Sequence, residues 1–266
     1  MSRSEIFSDM RRHILYDKQR IDTKQLEELA DEARKIMRLN IISTLKSVKD
    51  RVPLIAEFKP ASPRAIYRFY YDPITTISEM IKGGAAAISI LTEPVYYRGS
   101  LYYLYVTSRL FNIPTLRKDL IIEEFQIYET AATGASSYLL IADQFEKHRD
   151  IEDLIQLGRS FNMEPLVEIS TARDAEIISR TSTRLVGINN GEGEDKDLKK
   201  TEILSEMVNA EFLVSESGIR CVDDVKFVMK YADGILVGTA ISEARDIRGK
   251  VMELCLLNQE LHETAK

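Results

Sequence analysis

Tryptophan is absent from this 266-residue sequence, cysteine occurs twice, histidine three times, and no apolar run approaches the length of a membrane span. Each shortage closes a class of function. Cys221 and Cys255 are too few and too far apart for a disulfide framework or a zinc motif, and read as buried or incidental thiols. His13, His148 and His262 stand in polar, helix-like surroundings without metal-ligand spacing, so solvated positions are expected for all three. Positive charge is also short. The formal net charge of −6 argues against a general nucleic-acid or acidic-membrane binder, and any anionic ligand must be held by local groups. The opening MSRSEIFSDMRRHILYDKQR lacks the apolar core of a signal peptide, and a cytoplasmic location is expected.

What is present is an ordinary globular composition, 44% hydrophobic and 29% charged, in a chain slightly longer than one closed α/β barrel requires. From residue 53 onward, short apolar runs rich in β-branched residues alternate with segments of helical period. The runs are PLIAEF (53–58), AAISIL (86–91), IPTLRK (113–118), SYLLIA (137–142), PLVEI (165–169), RLVGIN (184–189), FLVSES (212–217) and GILVG (234–238). They are nearly continuous in apolar residues, as parallel strands buried on both faces must be. Between them DPITTISEMIKGG, IEEFQIYETAATGA, HRDIEDLIQLGRSFNM and VDDVKFVMKYADG read as helices, several with a glycine near the end. Eight strands with intervening helices predict a (β/α)₈ TIM barrel over 51–266. An open doubly wound sheet would want a glycine-rich loop after its first strand, and IAEFKPASP has none. Residues 1–50 carry a charged helical pattern without a strand signal, an N-terminal helical extension, and the terminal ETAK is expected to fray.

Such barrels carry their chemistry at the C-terminal ends of the strands, so polar residues that end apolar runs are the candidates. Glu57 and Lys59 share parity on the first strand and point the same way, with Phe58 facing the helices. Lys118 ends the third strand, Glu168 the fifth, Asn189 the sixth, and Glu216 the seventh, followed by Ser217 and Gly218. Each alone could be a solvated strand end or a structural ion pair. Opposite charges aimed into one lumen by strands one, three, five and seven instead describe an arranged network, able to hold an acid and a base without histidine. SESGI after strand seven and VGTAIS after strand eight occupy the usual place of a phosphate, with Ser62 as a further hydroxyl donor. A Gly-Thr pair by itself is equally an ordinary helix cap.

Taken in order, IAEFKPASP, ISILTEPVYYRGS, LRKDLIIEEFQI, EPLVEI, VGINN, VSESGI and ILVGTAI give the stretch from Pro53 to Ala244 a resemblance to the indole-3-glycerol-phosphate synthase family. The first three segments carry its specificity, because other phosphate-binding barrels share the last two. The resemblance implies a cofactor-free carboxy-lyase of tryptophan biosynthesis that converts 1-(2-carboxyphenylamino)-1-deoxyribulose 5-phosphate to indole-3-glycerol phosphate, carbon dioxide and water. It implies Lys118 as general acid, Glu168 as general base of the dehydration, and Glu57 with Lys59 as the pair that assists proton transfer and orients the anthranilate carboxylate. It places Asn189 and Glu216 around the ribulose and ring nitrogen, Ser62, Ser217, Gly218, Gly238 and Thr239 at phosphate and sugar, and Tyr97 as an aromatic packing residue.

The sequence departs from the family in places. After GIN the family reads serine-arginine-aspartate-leucine, with the arginine lining the site, whereas here the chain continues Asn190-Gly191-Glu192-Gly193-Glu194-Asp195. Lys59 or Arg64 would then have to supply the cation, and GEGEDKD reads as a mobile acidic loop rather than a calcium loop. Leu120 replaces a phenylalanine, and Pro60 a basic residue. Two other readings stay open: a phosphoribosylanthranilate-isomerase-like barrel, disfavoured because no strand ends in cysteine, and a non-catalytic paralogue, supported only by the altered sixth loop. The expected partner is a phosphorylated small molecule, with no nucleic acid and no membrane. A monomer is the simpler expectation for the assembly.

Overall fold

The computed structural model describes residues 3–36, 38–191 and 196–255; His262, the terminal ETAK and residues 192–195 of the acidic loop lie outside them. Eight parallel strands close on themselves: β1 (Leu54–Phe58), β2 (Ala87–Leu91), β3 (Thr115–Lys118), β4 (Ser137–Ile141), β5 (Leu166–Ile169), β6 (Leu185–Asn189), β7 (Phe212–Glu216) and β8 (Gly234–Val237). β1 pairs with both β8 and β2, in the registers Ala56 with Val237 and Glu57 with Ser89, so the sheet has no edge and the open-sheet alternative falls. Each strand falls within two residues of the run that predicts it.

Strand parity divides the apolar residues into two layers. Leu54, Ala56 and Phe58 point outward with Ile88, Ile90, Ile235 and Val237, against helices such as α4 (Pro73–Lys82), α5 (Leu101–Leu110), α10 (Val222–Val228) and α12 (Ile247–Leu254). Phe58 stacks on Phe69 with ring centroids 5.0 Å apart and meets Tyr103 of α5 edge-on. Around the other half of the barrel Leu140, Val167, Val186 and Leu213 pack against α6 (Glu124–Thr133) and α7 (His148–Ser160). The helices start where their sequences offer caps: Asp72 accepts the N–H groups of Ile74 and Thr75 with Pro73 in the first turn of α4, and Asp246 accepts that of Gly249 in α12.

The alternate residues fill the lumen: Ile55, Ala87, Leu116, Leu139, Leu166, Leu185, Phe212 and Leu236. Helices that precede β1 close both ends of it. At the bottom, α3 (Ile41–Ser47) inserts Ile41, Ile42 and Leu45, each at most 1% exposed, and Lys46 pairs with Glu211 just before β7 at 2.9 Å. Burial of three such side chains stabilises by about 1.5–3 kcal/mol each. Across the top lies α1 (Arg3–Lys18), with Ile6 and Met10 buried, Tyr96 donating to Asp9 at 2.5 Å, and the Arg11 guanidinium on the carbonyl of Gln144. The extension thus ends in a roof over the C-terminal mouth of the barrel, and only the loops between β and α elements remain to shape the entrance.

Candidate active site

The mouth opens into a cavity of about 890 Å³ lined by Glu57, Lys59, Ser62, Tyr97, Lys118, Glu168, Asn189, Glu216, Ser217, Gly218, Gly238 and Thr239, every position that the sequence nominates. Its centre is the ammonium of Lys118. Its Nζ donates to Glu216 Oε2 at 2.5 Å and to Glu168 Oε2 at 3.0 Å, and Glu168 Oε1 accepts from Asn189 Nδ2 at 2.8 Å. Strands β3, β5, β6 and β7 each supply one of these groups, and their parity aims all four inward. Lys59, just beyond β1, stands 3.8 Å from Glu57.

The electrostatics follow from this burial. Desolvation alone would push the Lys118 ammonium down, but the Glu216, Glu168 and Glu57 carboxylates outweigh it and hold the group well above the ordinary lysine value. Glu216 moves the other way from a simple ion pair. Burial, assisted by the like charges of Glu168 and Glu57, outweighs the attraction of Lys118 and pushes its carboxyl up to about 7. One carboxyl of the cluster therefore titrates near neutrality beside a permanent cation, a polarised arrangement suited to moving protons.

Two glycines make room for these carboxylates. A Cβ on Gly187 of β6 would collide with Glu216 Oε1, and one on Gly238 would collide with Glu57 Oε1. The sequence reading passed over Gly187 and gave Gly238 only a ligand contact; the signal was a glycine of inward parity inside an apolar strand, which marks a close approach. It also passed over Asn190. The Asn190 side chain is fully buried, and its Nδ2 donates to Ser215 Oγ, Glu216 O and Ser217 O at 2.9–3.0 Å, while Oδ1 accepts from the N–H and hydroxyl of Thr201. These bonds fix the end of β7 where Ser217 takes φ +65° and Gly218 φ +83°. A serine in the left-handed region is uncommon and costs of order 1–3 kcal/mol, so the surroundings must over-determine it.

Behind Lys118, on the outward face of β3, a second charged group braces the strand. Arg117 is 3% exposed and spends its guanidinium on Thr92 Oγ1, Gln126 O, Thr130 Oγ1, Glu129 and Asp119, the last at 3.1 Å. Asp119 also accepts from Thr92 Oγ1 and the N–H of Leu120. Glu93 lines the cavity as well, but its carboxylate is occupied by the N–H groups of Val95, Tyr96 and Tyr97 and serves the turn. Tyr97 in turn accepts the N–H of Ala61 at its carbonyl, tying the loop after β2 to the loop after β1 that carries Ser62.

Thr239 opens α11 (Thr239–Ser242) with Gly238 as its cap residue, as the sequence anticipates. Of the cations proposed to replace the missing arginine, Lys59 and Arg64 both line the cavity, and a third, Lys196, lines it too. Gly191 has φ +102° and donates its N–H to Asn189 Oδ1, so an arginine at that position would be strained. Cys255 is buried, Cys221 is exposed before α10, and His13 and His148 are exposed.

Comparison with known proteins agrees with this architecture. A family profile described as indole-3-glycerol phosphate synthase matches residues 3–254. Curated relatives of that name include one from Methanocaldococcus jannaschii, 32% identical over 95% of this chain and 98% of its own length, and one from Methanothermobacter marburgensis, 37% identical over 87% of this chain and 84% of its own. Among solved structures, a 3-hexulose-6-phosphate synthase from Salmonella typhimurium superposes with TM-score 0.64 at 13% identity, over 79% of this chain and 99% of that one, a likeness of fold alone.

Proposed function

The chain belongs to the indole-3-glycerol phosphate synthase family, ring-closing carboxy-lyases of tryptophan biosynthesis, and from that premise we propose how its residues divide the reaction. The observation that carries the proposal is the Lys118 ammonium held between Glu168 and Glu216 in the cavity at the strand ends. As the carboxylate-bearing ring carbon of 1-(2-carboxyphenylamino)-1-deoxyribulose 5-phosphate attacks the ketone carbon, Lys118 gives its proton to the ketone oxygen and stabilises the charge developing there. Carbon dioxide then departs and the ring regains aromaticity. Loss of the new hydroxyl as water needs one proton delivered to oxygen, from the Glu57–Lys59 side, and one removed from the neighbouring ring carbon, by Glu168. Two protons enter and one leaves, which balances a substrate that starts as the carboxylate.

Glu168 is oriented for this by Asn189, and Glu216 holds Lys118 on the axis of the cavity. Lys59 is available for the anthranilate carboxylate because its contact with Glu57 is loose at 3.8 Å. Ser62, Ser217, Gly218, Gly238 and Thr239 hold the phosphate and sugar, where the left-handed Ser217-Gly218 backbone keeps the wall free of side-chain bulk. Tyr97 packs beside the substrate. The phosphorylated small molecule is the one partner proposed. Incubating the purified protein with the carboxyphenylamino-deoxyribulose phosphate tests the reading: indole absorbance and fluorescence should grow with time, and their absence at high enzyme concentration would overturn it.

A further inference from the structure

The altered loop after β6 returns a lysine to the cavity. Asn190 O accepts the N–H of Asp197 at 2.8 Å, so residues 190 and 197 are neighbours in space. Lys196, the neighbour of Asp197, is half-buried and lines the same cavity as Lys118 and Thr239. A Cβ built on Gly218 would lie 3.8 Å from the Cβ of Lys196, which sets the lysine stem against the left-handed Ser217-Gly218 turn.

The other cations around the cavity are already committed. Lys118 is locked between two carboxylates, Lys59 is assigned above to the anthranilate carboxylate, and Arg220 donates to Glu243 at 2.6 Å. Lys196 forms no ion pair among the described residues, and Arg64, which forms none there either, is exposed on the loop after β1. A half-buried ammonium with no counter-charge among the described residues, set against the Ser217-Gly218 turn in the cavity wall, is placed for an anion that arrives from solution.

We propose that Lys196 is a substrate-binding residue that contacts the phosphate of the substrate, so that the altered sixth loop supplies from its far end the cation that its near end, at Gly191, lacks. The assignment rests on the phosphorylated-substrate reading above and adds to it the residue responsible for anion grip. A charge-assisted hydrogen bond corresponds to roughly a 10- to 150-fold effect on binding.

Steady-state kinetics of the wild type, Lys196→Ala, Lys196→Arg and Arg64→Ala, with inorganic phosphate as a competing ligand, test it. In Lys196→Ala the KM and the inhibition constant for phosphate should rise together into that range while kcat stays within about threefold, as loss of uniform binding requires. Lys196→Arg should recover most of the KM. A KM for Lys196→Ala within about twofold of wild type, a raised KM with unchanged phosphate inhibition, or a larger effect from Arg64→Ala would each overturn the assignment. A wild type that forms no indole product would instead sink the division of the reaction proposed above, and calorimetric titration of inorganic phosphate into wild type and Lys196→Ala would still decide the lysine.

Discussion

Replacing Lys118 by methionine keeps the volume of the stem and removes only the charge, and two consequences can be worked out separately. The first is catalytic. A positioned acid contributes on the order of 10²–10⁴ in rate, so kcat should fall by that factor while the phosphate subsite, built by other loops, still binds. The second concerns stability. Glu168 and Glu216 are 4% and 1% exposed, and the variant strips both of the ammonium that stands 3.0 and 2.5 Å away. Removing one partner of a buried ion pair costs about 3–5 kcal/mol where the remaining charge stays ionised. Glu216 already sits at about 7 against an ordinary 4.5, and without Lys118 its carboxyl must rise further. A carboxyl whose folded pKa is raised contributes stability below its unfolded value and loses it as pH climbs through the folded value. The variant should therefore be close to wild type near pH 5 and fall behind progressively towards pH 8. Urea unfolding at pH 5, 6.5 and 8, beside turnover followed by indole fluorescence, reads both. A kcat within tenfold of wild type would refute the acid assignment, and a stability deficit independent of pH would refute the electrostatic account.

The raised carboxyl also shapes the wild-type pH profile: kcat/KM should climb with pH through about 7 as Glu216 ionises and secures Lys118, and Glu216→Gln should abolish that limb. Gly187→Ala should cost at least tenfold in kcat and about 1–3 kcal/mol in stability, since the new methyl displaces the Glu216 carboxylate; an alanine variant with wild-type turnover would show that the carboxylate has room to spare. Gly191→Arg should destabilise by about 1–2 kcal/mol without lowering KM, because its φ of +102° suits glycine, and a lower KM in steady-state assays would count against this loop conformation.

Much of the site was legible because barrel strands obey a period of two. Once PLIAEF, IPTLRK, PLVEI, RLVGIN and FLVSES are read as parallel strands, the inward parity of Glu57, Lys118, Glu168, Asn189 and Glu216 follows without any knowledge of helices or loops. The segments that resemble the indole-3-glycerol phosphate synthase family are these same strand ends, and the family profile confirms the membership. Less legible were groups whose role depends on what they meet across the barrel. Gly187 looks like a dispensable residue in an apolar run until Glu216, from the next strand, is seen to occupy its missing side chain. Asn190 reads as a lost serine until its amide is found clamping the carbonyls of Glu216 and Ser217. Arg117 reads as one more polar strand residue until its guanidinium is found held by Gln126, Glu129 and Thr130 of α6 together with Thr92 and Asp119.

The sequence by itself determined the strands, the closed architecture they imply and the charges that face the lumen, because these depend on local hydrophobic period and on parity. Tertiary structure alone decided which helix of the extension plugs the bottom and which roofs the mouth, and that the chain leaving the barrel at Gly191 comes back with Lys196 beside Gly218. Those outcomes turn on closure of the sheet and on backbone pairing between distant residues, such as Asn190 with Asp197 across the loop, and no local pattern in the chain encodes a distance of that kind.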